Sequence, residues 1–134
     1  MPTLISVEGI GRANAQKLKR AKINSLNKLL MDGATPKGRK AIAKQAGFTA
    51  RTILEWVNRA DLFRVKGIAE EYSDLLEVAG VDTVVELARR KAAVLVQKMA
   101  EANAKKKIVR KLPAKSEVAR WIRHAARLPR IVKY

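Results

Sequence analysis

Val7-Glu8-Gly9-Ile10-Gly11-Arg12 is the stretch from which the fold of this 134-residue chain can be worked out. Glycine adopts positive φ angles without a steric penalty, so two glycines around an isoleucine predict a tight turn. Residues 13–21 follow with apolar side chains at helical spacing, which predicts a helix directly after the turn. The first N–H groups of a helix have no internal partner. We therefore expect residues 7–11, the first glycine turn, to form with this helix start a site for an anion such as phosphate.

The pattern returns 58 residues later, where Val65-Lys66-Gly67-Ile68-Ala69 aligns with Val7 to Gly11. We call residues 65–69 the second glycine turn. The same offset also aligns a series of small and apolar positions: Leu18 with Leu76, Ala21 with Ala79, Ile23 with Val81, Ser25 with Thr83, Leu26 with Val84, and Leu29 with Leu87. So many matches at a single offset indicate an internal repeat.

Each half of the chain also ends in a helix that carries one tryptophan. Trp56 and Trp121 have similar neighbours but lie 65 residues apart, so the second half holds about seven extra residues, most simply between positions 92 and 112. We predict two halves, 1–60 and 61–134. Because the neighbours of both tryptophans are apolar at helical spacing, we expect both indoles to pack in the core rather than to stack on unpaired bases.

No stretch alternates with period two for long enough to indicate a strand, so we predict an all-α fold of about eight to ten short helices. Asn24 or Ser25 is expected to cap a helix that Gly33 ends in a left-handed conformation. Thr35-Pro36 should open the next helix, and Gly47 should close it.

Two further helices are expected in the second half of the chain. Residues 92–111 form either one long helix or two helices separated near Asn103, with Pro113 as the stop. Ser116 with Glu117 should start the last helix, which covers residues 118–127.

The glycine pattern, with Leu18 and Ile23 in the helix that follows, resembles the helix-hairpin-helix superfamily. Across nearly the whole chain, the sequence is similar to an uncharacterised family in that group with two hairpins and paired tryptophan helices. The resemblance implies two tandem repeats in a SAM-like helical bundle, and a module that grips the DNA backbone without reading its sequence. Some superfamily members bind proteins instead, so DNA binding needs support from this chain's own residues.

Charge is the dominant feature of the composition. The chain has 29 Lys and Arg against 12 Asp and Glu, a net charge of +17, which favours polyanionic partners. The alternative is a basic protein from a lineage or compartment that tolerates such charge. An anionic membrane surface would call for a basic helix with bulky aromatic residues, but only 4% of residues are aromatic. With no apolar run near 18 residues and no secretory signal, we expect a cytoplasmic protein associated with the nucleoid or chromosome.

The helices after the two glycine turns carry opposite charge. Arg12, Gln16 and Lys19 share one face of the first helix, and the aligned positions of the second are acidic: Glu70, Asp74 and Glu77. Residues 68–88 hold six acidic residues and no Lys or Arg. We therefore expect the first glycine turn to bind phosphate, and the second to be structural. The two faces also suggest an alternative function, self-association through opposed basic and acidic helix faces, or docking on an acidic protein. The two faces could equally pair within the chain, and a solvated helix face is the default interpretation.

The predicted ligand is nucleic acid, with duplex DNA favoured and RNA an alternative, since both carry the same phosphate charge. The residues predicted to bind it are glycine-turn residues and nearby or clustered cations: Gly9, Ile10, Gly11, Arg12, Lys17, Lys19, Arg20, Lys37, Arg39, Lys40, Lys105, Lys106, Lys107, Arg110 and Lys111. Arg120, Arg123, Arg127, Arg130 and Lys133 add further charge near the C-terminus. No catalytic motif, metal site or cofactor site is predicted, and His124, the only histidine, has no predicted role.

Overall fold

The computed structural model describes residues 3–134, which form eight α-helices, one 3₁₀ turn and no strand. The predicted all-α class and number of helices are therefore confirmed. The 3₁₀ turn is Leu4–Ser6, and the helices are α1 (Gly11–Arg20), α2 (Leu26–Asp32), α3 (Pro36–Ala46), α4 (Ala50–Leu62), α5 (Glu70–Val78), α6 (Val84–Ala88), α7 (Ala92–Lys105) and α8 (Lys115–Arg127). None of the helices in this part of the chain has the length and apolar character needed to cross a membrane.

The chain divides into two compact units. Unit 1 comprises Met1–Asp61 and Arg130–Tyr134, and unit 2 comprises Leu62–Pro129. Unit 2 begins at Leu62, and the last five residues of the chain belong to unit 1. There the backbone N–H of Lys133 donates to the carbonyl of Ala34 across 2.7 Å.

The helix ends in unit 1 follow from local side-chain chemistry. The Ser25 hydroxyl accepts from the Lys28 amide at the start of α2, and Thr35 accepts from the Gly38 amide at the start of α3, both at 3.1 Å. Gly47 ends α3 with φ at 83°, in the left-handed region. These three predictions are confirmed.

Gly33 does not adopt the backbone conformation expected from the sequence. It follows α2 with φ at −93°, so the predicted left-handed conformation is wrong. The position needs glycine for space instead, because a Cβ there would lie 2.5 Å from Val57 Cγ2 and 2.8 Å from the Leu29 carbonyl oxygen. The missing side chain lets the end of α2 approach α4 closely.

The two glycine turns share a hydrogen-bond pattern. In unit 1 the amides of Val7 and Ile10 donate to the carbonyls three residues earlier, and in unit 2 the amides of Val65 and Ile68 do the same. The aligned apolar residues of both turns are buried. The repeat seen in the sequence therefore corresponds to a repeated local structure.

Both tryptophans are core residues, as predicted. Trp56 is 6% exposed and Trp121 is 2% exposed. In unit 1 the ring of Phe48 meets Trp56 edge-on at a centroid distance of 4.9 Å, and in unit 2 Tyr72 packs on Trp121 at 5.2 Å. Each unit therefore buries its last long helix through an aromatic pair.

The segment after α7 is a loop rather than helix. The helix ends at Lys105, so the prediction of helical structure up to Lys111 is wrong. The Asn103 side chain explains the loop, because its Oδ1 accepts from the amides of Ile108 and Val109 and its Nδ2 donates to the Val109 carbonyl. In a continuing helix these backbone groups would bond other backbone groups of the helix. Here they bond the Asn103 side chain instead.

The last helix, α8, begins at Lys115, three residues earlier than expected. Glu117 takes part in its start as predicted, by accepting from the Ala114 amide at 3.2 Å, whereas no cap is formed by Ser116. Within unit 2, α8 packs on α6 and α7, and α5 packs on α7.

Candidate functional site

The first glycine turn presents an open helix start in unit 1. Gly9 and Gly11 both have positive φ angles, 94° and 62°. The Asn14 side chain donates to the Gly9 carbonyl, and no side chain caps the N-terminus of α1. Residues 11–13 are exposed, and the first N–H groups of a helix have no partner within it, so this end of α1 is available to an anion.

Ile10 does not belong to this site. Its side chain is 2% exposed, and its amide donates to the Val7 carbonyl within the turn. The prediction that Ile10 contacts nucleic acid is wrong, because both its side chain and its N–H are occupied. Its role is to anchor the turn in the core.

The predicted cations of α1 are available. Arg12, Lys19 and Arg20 are exposed and form no ion pair within residues 3–134. Lys17 is also exposed, and its ammonium lies 5.6 Å from the centroid of the Phe48 ring. The helix that begins at the first glycine turn therefore carries unpaired positive charge along its exposed surface.

Helix α3, which packs against α1, contributes two of the three cations predicted on it. Lys37 and Lys40 are exposed. Arg39 is 5% exposed, and its guanidinium donates to the carbonyls of Gly33 at 2.9 Å and Lys133 at 2.8 Å. The assignment of Arg39 to the nucleic-acid surface is wrong, because its donors hold the chain together.

Burial lowers the pKa of the Arg39 guanidinium, and the Tyr134 hydroxyl acts in the opposite direction. An arginine nevertheless stays protonated in proteins. The two carbonyl bonds are therefore charge-assisted, and they tie the C-terminal residues of unit 1 to α3.

The remaining predicted cations lie in unit 2. They are exposed residues at the end of α7 and in the loop that follows, and none forms an ion pair within the described residues: Lys105, Lys106, Lys107, Arg110 and Lys111. The structure thus groups the predicted site into two sets, one on α1 and α3 of unit 1 and one in unit 2.

The acidic face of α5 is only partly open. Glu70 and Glu77 are exposed and Asp74 is half-buried. Asp74 and Glu77 already take part in interactions within the chain. Nothing about this face adds support to the alternative of self-association.

A cleft of about 550 Å³ in unit 2 was not anticipated as a site. It lies between the second glycine turn and α8, and its walls include four cationic side chains: Lys66, Arg120, Arg123 and Arg127. Glu117, Trp121 and His124 complete the lining together with Gly67. None of the four cations forms an ion pair within residues 3–134.

His124 connects the two walls of this cleft. Its Nδ1 accepts a 2.9 Å hydrogen bond from the backbone amide of Lys66. An accepting Nδ1 carries no proton, so the ring proton is assigned to Nε2 as a further donor. Among the described residues no three His, Asp or Glu side chains are grouped to hold a metal ion.

A signal for the cleft is present in the sequence. Positions 120, 123 and 127 follow i, i+3, i+7 spacing, which places three arginines on one helix face. What the sequence does not reveal is that the second glycine turn lies against that face, since Lys66 and His124 are 58 residues apart. The acidic residues that follow the second glycine turn instead predict that this turn does not bind phosphate.

Comparison with known proteins gives a family without an assigned activity. The model of a family described as a domain of unknown function, DUF4332, matches residues 8–128. No curated protein matches the chain, and no solved structure matches it. The matched region contains residues 8–11 of the first glycine turn, the whole second glycine turn and both tryptophan helices, and the chain therefore belongs to the DUF4332 family.

Proposed function

We propose that this protein binds nucleic acid without sequence preference, with duplex DNA as its main ligand, and that it acts as a non-enzymatic binder. The observation that carries the proposal is the open start of α1 on a helix that carries unpaired cations. Arg12 lies in the first turn of α1, beside N–H groups that no side chain caps, and Lys19 and Arg20 lie exposed in its last turn. Backbone N–H groups and cationic side chains are the groups that proteins use to contact phosphates.

The charge of each unit supports the same ligand. Unit 1 contains 14 Lys and Arg against 4 Asp and Glu, and unit 2 contains 15 against 8. Both are positive, so each would attract a polyanion. We infer no sequence readout, because no helix presents a separate set of Arg, Asn or Gln side chains for base edges.

A charge-reversal pair tests the role of α1. Arg12→Glu with Lys19→Glu places one negative charge beside the open helix start and a second on the same helix face in the last turn of α1. The matched control is Lys28→Glu with Arg51→Glu, which changes the net charge equally at two cations that already pair with Asp32 and Glu55. Binding to a labelled random duplex is read by anisotropy at low salt.

We expect the Arg12/Lys19 variant to raise Kd about tenfold or more, and the control to change it much less. Equal losses in the two variants would mean that only the overall field matters, and the α1 site would be rejected. Size-exclusion chromatography of the same variants examines self-association, because a change in oligomer size with intact DNA binding would favour that function instead.

A further inference from the structure

The cleft between the second glycine turn and α8 has an unusual lining. Almost every polar group on it is a hydrogen-bond donor or a cation: Lys66, Arg120, Arg123, Arg127, His124 Nε2 and the Trp121 indole. The exception is Glu117, whose carboxylate accepts from the Ala114 amide. A lining rich in donors fits a ligand that offers only acceptors and carries negative charge.

Trp121 brings an indole N–H donor to the lining of this cleft. The residue is 2% exposed, and its Nε1–H makes no hydrogen bond to any of residues 3–134. No fully buried side-chain nitrogen or oxygen in this range lacks a partner, so Nε1 reaches the cleft. The absent side chain of Gly67 leaves this nitrogen open, because a Cβ there would lie 2.7 Å from it.

The second glycine turn is fixed against α8. The bond from the Lys66 amide to His124 Nδ1 joins the turn to the same helix that carries the three arginines. Cations from two segments are thus held around one space rather than scattered on a surface. The space, about 550 Å³, lies within the usual range of small-ligand sites and is larger than a single phosphate.

We propose that this cleft is a second phosphate-binding site of the protein, and that it takes a backbone phosphodiester of the bound nucleic acid. The assignment rests on the proposed function. It reverses the expectation that the second glycine turn is only structural, because the positive charge comes from α8 rather than from the acidic α5. A guanidinium group can donate two parallel hydrogen bonds to the oxygens of one phosphate. Three arginines on one helix face therefore suit this ligand.

The test uses the full chain and a triple variant, Arg120→Gln, Arg123→Gln and Arg127→Gln. All three side chains are exposed, so the fold should persist, and circular dichroism checks it. The matched control is Lys91→Gln, Lys98→Gln and Lys115→Gln, which removes the same charge from exposed positions of unit 2 outside the cleft. Kd for a random duplex is measured by anisotropy over a range of salt concentrations.

We expect the cleft variant to raise Kd about tenfold or more and to flatten the salt slope, and the control to change both much less. In amide spectra, duplex DNA should shift the Lys66 amide and the Trp121 indole signals. If the native chain binds DNA and the two triple variants bind equally, the cleft proposal is overturned while the proposed function stands.

Inorganic phosphate distinguishes the source of the ligand. If the native chain ignores DNA, the proposed function fails. Phosphate-induced shifts at Trp121 and Lys66 would then identify the cleft as a site for a small phosphorylated molecule, which overturns the nucleic-acid assignment. Shifts with DNA that the Arg-to-Gln variant abolishes support the proposal.

Discussion

Gly9 and Gly67 occupy the same position in the two glycine turns, but their surroundings differ. Their φ angles are nearly equal, 94° and 97°. A Cβ at Gly9 would lie 3.5 Å from Trp56 Nε1, an ordinary contact, whereas a Cβ at Gly67 would lie 2.7 Å from Trp121 Nε1. Backbone strain is therefore common to both positions, and a clash with the indole is specific to Gly67.

Alanine substitutions separate these two effects. Gly9→Ala should cost about 1–2 kcal/mol for a side chain at positive φ. Gly67→Ala should cost at least about 1 kcal/mol more, because a buried tryptophan has to move. Unfolding by urea is followed by tryptophan fluorescence, with Trp121→Phe in the Gly9 series and Trp56→Phe in the Gly67 series. Equal costs would contradict the close approach of Gly67 to Trp121.

At the scale of elements, the C-terminal segment Arg130–Tyr134 is held on unit 1 by side chains and backbone together. Arg39 donates to the Lys133 carbonyl, and the Lys133 amide donates to Ala34. Val132 is buried, and the Tyr134 hydroxyl bonds the Asn58 side chain at 3.0 Å. Arg39 is thus the residue through which α3 fixes the end of the described chain.

Replacing this guanidinium should loosen the segment. Arg39→Met keeps much of the side-chain volume but leaves the carbonyls of Gly33 and Lys133 without their charged donor, so we expect a loss of about 2–4 kcal/mol in the free energy of unfolding. Lys44→Met, an exposed position on the same helix, should change it by less than about 0.5 kcal/mol. Urea unfolding gives both values, and hydrogen exchange of the Lys133 amide should speed up only in Arg39→Met. A change in Arg39→Met no larger than that of the control would show that the segment does not depend on this bond.

Across the whole molecule, the structural features that the sequence predicts are those that depend on residues close together along the chain. The caps at Ser25, Thr35 and Gly47 depend on partners within a few positions, so composition and spacing are sufficient to locate them. The repeat can also be recognised from the sequence, because the same pattern of residues occurs twice in the chain.

Features that depend on distant partners could not be predicted in this way. The burial of Arg39 involves a carbonyl 94 positions away, and the cleft joins Lys66 to His124 across 58 positions. The sequence shows that both Arg39 and the α8 arginines are cationic, but it cannot show that Arg39 faces the interior and that the α8 arginines surround a cleft. The two outcomes differ only in tertiary packing, which local patterns do not specify.

Charge is the property of the whole molecule that the proposed function depends on most. The net +17 is distributed over both units, and the exposed cations of α1, α3, the α7–α8 loop and the α8 cleft lack ion-pair partners within residues 3–134. Charges that have no partner within the protein release counterions from DNA when they meet its phosphates.

The salt dependence of duplex DNA binding by the full chain tests this account most directly. If about six cations contact phosphates, log K should fall with log salt concentration at a slope of roughly −5, with little dependence on DNA sequence. No binding at the lowest salt concentration, or binding that salt does not weaken, would contradict a phosphate-based interaction and with it the proposed function.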